Sequence, residues 1–289
     1  MRADGTRMKG LTPIMLAVPY LMPKRYDAQN LATDYLDEEG IKSYIRQQRR
    51  QGRKVTHMSL LVAAYFKAYR ENPKINCFIM NHRIYMRNHF CFSFVILKKR
   101  ADGTPDETTL KVFIEKEDTI FTLTERIEQT IQKNQEATHD NGTDKFASFV
   151  FAVPGLARLV FWLVYRLDLH GLLPRKIIDL SPFHTSLFIT NLASINTSYI
   201  YHHCYEIGTT SVFICMGKPV PDYVNGEHRK KIMPLGVVLD ERICTGAEYS
   251  SFAVAFHRYL QHPELLETPM GLELMEEPET AADAPETIA

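Results

Sequence analysis

Near its C-terminal end the chain reads Pro234-Leu-Gly-Val-Val-Leu239 and then Asp240-Glu-Arg-Ile-Cys-Thr-Gly-Ala247. The first string is apolar and β-branched, the composition of a buried strand. The second is a polar turn closed by Gly246. A helix pattern follows, with Tyr249, Phe252, Ala253, Phe256, Tyr259 and Leu260 at three- and four-residue spacing and Pro263 as its stop. Strand, turn and helix together set a few polar side chains at a strand end, a common place for proton-transfer chemistry. A second polar string is Tyr201-His-His-Cys-Tyr-Glu206, in which His202 begins the only H-x-x-x-E of the chain. Paired histidines beside a cysteine suit a metal, but no second ligand pair has zinc-like spacing, so no metal is expected. Neither G-x-G-x-x-G nor G-x-x-x-x-G-K is present to cradle a phosphate. The basic clusters at 46–54 and 229–231 read as solvated faces.

The elements that must hold these strings alternate along the chain. Residues 11–36 read as one or two strands, with Pro13 to Pro19 β-like. A helix near 38–51 opens on Asp37, Glu38 and Glu39 and closes on Arg46, Arg49 and Arg50, which suits the helix dipole. Thr56 or Ser59 caps the next helix, with Leu60, Leu61, Ala64 and Tyr65 facing inward. Residues 75–97 read as two strands, 101–106 as a turn, 110–114 as a strand and 117–138 as a polar helix, with a break at 139–143. Residues 146–173 are strongly apolar but interrupted by Pro154-Gly155, Arg158, Arg166, Asp168 and His170. No charge-free run reaches the ~20 residues of a bilayer span. The spacing predicts a helix from Pro154 to about Gly171 that faces the core or a partner, with membrane-surface contact through 150–170 as the lesser reading. Strands alternating with helices argue a layered α/β (α+β) domain.

The 289 residues hold 34 Lys+Arg and 34 Asp+Glu, so no net field points to nucleic acid or membrane. Residues 268–289 carry acids and no Lys or Arg, lack aromatics, and read as a disordered acidic tail. Five cysteines occur without a C-x-x-C pair, so a disulfide scaffold is not expected and a reducing cytoplasmic setting fits. The N-terminus has no apolar core of a signal peptide.

The string Asp240–Ala247 resembles the acyltransferase catalytic domain of 2-oxoacid dehydrogenase complexes, which shares its fold with chloramphenicol acetyltransferase. That family reads D-H-R-x-x-D-G-A here, then a helix, then a D-P-E-L-L-like ending. This chain has D-E-R-I-C-T-G-A and His262-Pro-Glu-Leu-Leu266. Asp240, Arg242, Gly246 and Ala247 match. Glu241 stands at the catalytic histidine and Thr245 at its partner aspartate. Ser186-Leu-Phe-Ile-Thr-Asn-Leu-Ala-Ser194 resembles the family's F-T-I-S-N-L-G strand, with Thr190 at the hydroxyl position and Ala193 at a glycine. Val212–Gly217 resembles its A-I-L-A-I-G strand, and Val55–Ala64 with Asn72–Asn76 its I-S-V-N-D helix. The likeness covers residues 10–267.

The resemblance implies a chloramphenicol-acetyltransferase-like sandwich of a mixed sheet and packed helices. Residues 1–267 form the acyltransferase-like domain and 268–289 the tail. It implies a cytoplasmic homotrimer with its site between subunits, and a stand-alone member without a lipoyl domain. No covalently bound cofactor is expected; a coenzyme A or lipoyl thioester is the acyl donor, and the acceptor is unidentified. Glu241 is then the base and Thr190 the donor to the tetrahedral oxyanion. Glutamate's reference pKa lies ~2 units below histidine's, or ~3 kcal/mol of proton affinity, which burial can recover. Thr245 cannot orient a ring, and a glutamate needs no tautomer fixed. His202 or His203 is the substitute base, with His184 a weaker one. In the alternative, Glu241 pairs with Arg242 to support the turn and the protein is a non-catalytic binding or assembly member of the fold.

Overall fold

The computed structural model describes residues 2–99, 104–115, 117–136, 151–224 and 227–271. Of the turn expected at 101–106, residues 101–103 lie outside them and Pro105 and Asp106 already open a strand; the break at 139–143 and most of the acidic tail lie outside them as well. Ten strands and seven helices stand among the described residues. In chain order they are β1 (Gly5–Arg7), α1 (Pro13–Leu21), β2 (Gln29–Asp37), α2 (Glu38–Arg50), α3 (His57–Glu71), β3 (Cys77–Met80), β4 (Arg83–Arg87), β5 (Cys91–Lys99), β6 (Pro105–Phe113), α4 (Ile120–Glu136), α5 (Leu156–Leu169), α6 (Arg175–Leu180), β7 (Leu187–Asn191), β8 (Val212–Met216), β9 (Val220–Val224), β10 (Glu227–Asp240) and α7 (Gly246–Gln261).

The main sheet has the order β2-β10-β8-β7-β5-β6, with β9 also on β10, and a small sheet runs β1-β4-β3. β5, β7 and β8 are parallel and the other pairings antiparallel. Alternation along each strand sorts the faces. Phe92, Phe94, Leu187, Ile189, Val212, Ile214, Leu235, Val237 and Leu239 point into one large core with Leu60, Leu61, Tyr65, Phe252 and Phe256 of α3 and α7. Phe188, Phe213 and Val238 point to the other face, where Cys204 joins them. Thr56 caps α3 in a reciprocal capping box with Ser59, as the sequence indicates.

Two expectations are corrected. Pro13 to Pro19 is helix, not strand: a short apolar run does not separate the two by periodicity, and Pro13 sits in the first helical turn, where its missing N–H costs nothing. Residues 75–97 hold three strands rather than two, because Asn81 and His82, both at positive φ, turn the chain between β3 and β4. Just past residue 267 the chain still touches the core. Met270 is buried, its amide donates to the Asp118 carbonyl at 2.7 Å, and its own carbonyl accepts from Arg70 at 2.5 Å.

One ion pair joins the edge strand to the helix layer. His257 of α7 meets both carboxylate oxygens of Asp34 in β2 at 2.8 and 2.9 Å. The bond to Asp34 raises the imidazole pKa. A raised histidine pKa means the pair's full stabilisation is present below the unfolded value of ~6.5 and is lost as pH climbs through the folded value. The melting temperature should therefore fall as pH rises upward from about 6.5, and His257→Gln should flatten that part of a calorimetric pH series.

Candidate active site

The polar turn after β10 is built around a carboxylate with no exposure. Asp240 takes a forked pair from Arg242, Nε to Oδ1 and Nη2 to Oδ2, both at 2.8 Å. Arg25 stands on the other side, with Nε 3.6 Å from Oδ2. Each arginine then ties in a distant segment. Arg242 Nη1 donates to the Met22 carbonyl just past α1 at 2.8 Å. Arg25 donates to the carbonyls of Tyr205, Gly208 and Ile79. Glu206 closes the ring by accepting the amides of Arg25 and Tyr26 at 2.5 and 3.1 Å. The residues around the turn are thus fixed in place by charge-assisted bonds.

Glu241 follows directly. Its amide donates to the Ala28 carbonyl at 2.9 Å, which fixes the backbone. Its side chain is half-buried and has no partner among the described residues. The pairing of Glu241 with Arg242 is therefore overturned: Arg242 is spent on Asp240, and the Glu241 carboxylate remains free.

Thr190 lies on β7, on the face away from the large core. Its hydroxyl oxygen is buried without a hydrogen-bond partner. Buried polar groups are nearly always satisfied, so an orphan hydroxyl calls for an explanation. In the sheet Thr190 pairs with Cys215, and Cys215 pairs with Gly236. Glu241 lies five residues beyond Gly236. Five strand residues run to about 17 Å and two strand spacings add about 10 Å sideways. The two side chains are therefore roughly 20 Å apart and do not meet within one chain.

The segment 197–206 crosses this same face. Its backbone comes so close that a Cβ on Gly236 would stand 2.3 Å from the Ile200 carbonyl oxygen. That approach lays the His202 ring flat on Phe213, centroids 4.0 Å apart and planes within 4°. Burial there lowers the His202 pKa, and its Nδ1 accepts the His203 amide at 3.0 Å, so the ring is a neutral imidazole with its proton on Nε2. His203 is exposed. Thr245 caps α7: its hydroxyl accepts the Glu248 amide at 3.3 Å while Glu248 accepts the Thr245 amide at 2.8 Å. Its oxygen is turned to the helix and not to Glu241. Cys244, within the turn, is buried and its thiol is pushed up to about 12, as is that of Cys204, so neither is a ready thiolate nucleophile.

His184 is almost fully buried. Its Nδ1 bonds Ser181 Oγ at 2.8 Å and its Nε2 bonds Asp168 at 3.1 Å. The order Ser–His–Asp is that of a nucleophile triad. Here Asp168 also holds Arg2 at 2.7 Å, and the Ser181 oxygen accepts the Phe183 amide at 3.3 Å. Burial raises the Asp168 pKa, but His184 and Arg2 outweigh it, and the carboxylate titrates below its ordinary value. The string ties the first residues of the chain to α5. Sequence reasoning marked Glu206 within the His202 string but missed Arg25 and the contact between the two, because a pair 181 residues apart leaves no local pattern.

With the geometry in place, comparison with solved structures decides the fold. A probable dihydrolipoamide acetyltransferase from Listeria monocytogenes superposes with a TM-score of 0.55 at 12% identity, covering 94% of this chain and 98% of that one. The fold is that of the chloramphenicol acetyltransferase group. A chloramphenicol acetyltransferase itself gives 0.51 at 12% identity, over 89% and 99% of the two chains. A dihydrolipoamide acetyltransferase from Azotobacter vinelandii, in which a serine, a histidine and an asparagine were investigated for their role in the catalytic mechanism, gives 0.51 at 11%, over 90% and 93%. No protein-family model matches the chain, and no curated protein is similar to it in sequence. The expected mixed-sheet sandwich is thus the observed one.

The Asp240 cluster yields a direct test. Asp240→Asn removes the charge that two buried arginines share. Breaking one partner of a buried ion pair costs about 3–5 kcal/mol. Urea denaturation should show a loss of that size, whereas Glu241→Gln, which disturbs no pair, should leave the midpoint near wild type.

Proposed function

We propose that this protein transfers an acyl group from a thioester, of coenzyme A or lipoyl type, in a site shared between protomers of a homotrimer. The carrying observation is a pair of unspent groups on one rigid fold: a Glu241 carboxylate free of ion pairs and a Thr190 hydroxyl buried without a partner. They stand too far apart to act within one chain, so the Glu241 turn of one protomer faces the Thr190 strand of the next. Glu241 takes the proton of the acceptor as it attacks the thioester carbonyl. Thr190 donates to the tetrahedral oxyanion. Collapse breaks the C–S bond, and the leaving thiolate takes up the proton.

The surface around the turn favours such an assembly. α1 runs up to Met22, the carbonyl held by Arg242, and exposes Leu16, Tyr20 and Leu21, while Tyr26 and Leu31 are exposed beside it. Apolar side chains gathered in this way mark a surface that something covers. A non-catalytic binding role is the second reading, favoured by Thr245, whose hydroxyl is committed to capping α7.

Two measurements separate the readings. Light scattering at micromolar concentration should give three times the chain mass, and a monomer would dismiss the shared site. Released thiol should be followed over a panel of acyl-CoA donors and thiol or hydroxyl acceptors. Glu241→Gln should lower transfer by ~10²-fold or more at unchanged trimer mass. Equal rates in wild type and Glu241→Gln would move the base to His202 or His203. No turnover of any thioester would favour the binding member.

A further inference from the structure

Helix α5 was expected to face the core or a partner, and the core half of that expectation does not hold. Leu159, Phe161, Trp162 and Leu163 are each about half exposed, from 49 to 58%. Arg158, Trp162 and Arg166 follow one another at four-residue steps, so they form a line along the helix, with Leu159 and Leu163 beside it. The opposite side is anchored. Asp168 is fully buried, its carboxylate on Arg2 and His184, and its carbonyl accepts from Arg2 at 2.5 Å.

Charge sorts the same way. Between residues 154 and 180 the acids are Asp168 and Asp179. The first is sealed inside, and the second is held by Arg175 at 2.7 Å. Arg158, Arg166 and Lys176 are exposed and have no acidic partner among the described residues. The outward face of α5 is thus tryptophan, leucine and unpaired arginine, without a carboxylate. That composition matches the boundary of a bilayer: leucine enters the acyl region, the amphipathic indole sits at headgroup level, and arginine reaches up to phosphate. The helix is 14 residues long, about 21 Å, and no helix among the described residues is long and apolar enough to cross a membrane. It would lie in the plane of the surface.

We propose that the outer face of α5 docks the protein onto an anionic lipid surface, with Trp162 at the centre of the contact. A second protein copy is the other conceivable cover. It would need carboxylates brought to Arg158 and Arg166, whereas an anionic leaflet supplies phosphate along the whole line.

The chain carries one tryptophan, so intrinsic fluorescence reports this face alone. The full-length protein should be titrated with extruded vesicles of phosphatidylcholine, with and without a phosphatidylserine component that gives an anionic surface. The expected result is a blue shift of Trp162 emission and co-sedimentation with the serine-containing vesicles, both weakened by salt. Each of Arg158→Gln and Arg166→Gln should lower partitioning about fivefold. Leu159→Ser with Leu163→Ser should abolish it while circular dichroism and thermal melting stay near wild type, since both side chains face outward. Two results would overturn the proposal. One is unchanged emission and no pelleting with anionic vesicles. The other is emission already blue-shifted in buffer and red-shifting on dilution, which would give the face to a second copy of the chain.

Discussion

The buried carboxylate of Asp240 is the contact from which the candidate site is laid out. It sits at the last residue of β10, where the sheet stops supplying order. Two arginines converge on it from different directions. Arg242 brings the end of α1. Arg25 brings the chain before β2 and the carbonyls of the 205–208 loop. A charge in a place without water is tolerated only when paired and hydrogen-bonded, and each arginine meets that condition by recruiting backbone carbonyls. Segments with little packing of their own are thereby brought to one point. Glu241 is presented at the margin of this cluster without belonging to it.

The second constraint is the approach of segment 197–206 to the sheet. Gly236 admits the Ile200 carbonyl at a distance no side chain would permit. His202 is pressed on Phe213 as a result, and Cys204 joins the small outer core. The sheet is therefore asymmetric. One face carries the large helix-covered core, the other a thin cover held by a glycine and a buried arginine. Thr190 lies on that thinly covered face with its hydroxyl unsatisfied.

Much of this was legible in the sequence. α2, α3, α7 and the core strands carry strong periodicity and proper caps, and these set the fold. The Asp-x-Arg-x-x-x-Gly-Ala string marked the turn, since its Asp and Arg are needed for a contact whose geometry is local. What failed has physical causes. Pro13 to Pro19 is apolar throughout, and periodicity is mute in such a run. α5 is apolar enough for a core, but burial is decided by what the chain places above it. The Arg25–Asp240 contact joins residues 215 positions apart and has no signature in either neighbourhood. The spent state of Arg242 and Thr245 and the unspent state of Glu241 could be known only once partners were assigned.

That unspent state links assembly to chemistry. Within one chain Glu241 is half-buried and in contact with solvent, and the Thr190 of that chain is out of its reach. A second protomer packed on the apolar residues around the turn would exclude that water and bring up a Thr190 that Glu241 cannot reach in its own chain. In the proposed trimer, closing the interface and assembling the Glu241–Thr190 site would therefore be one event.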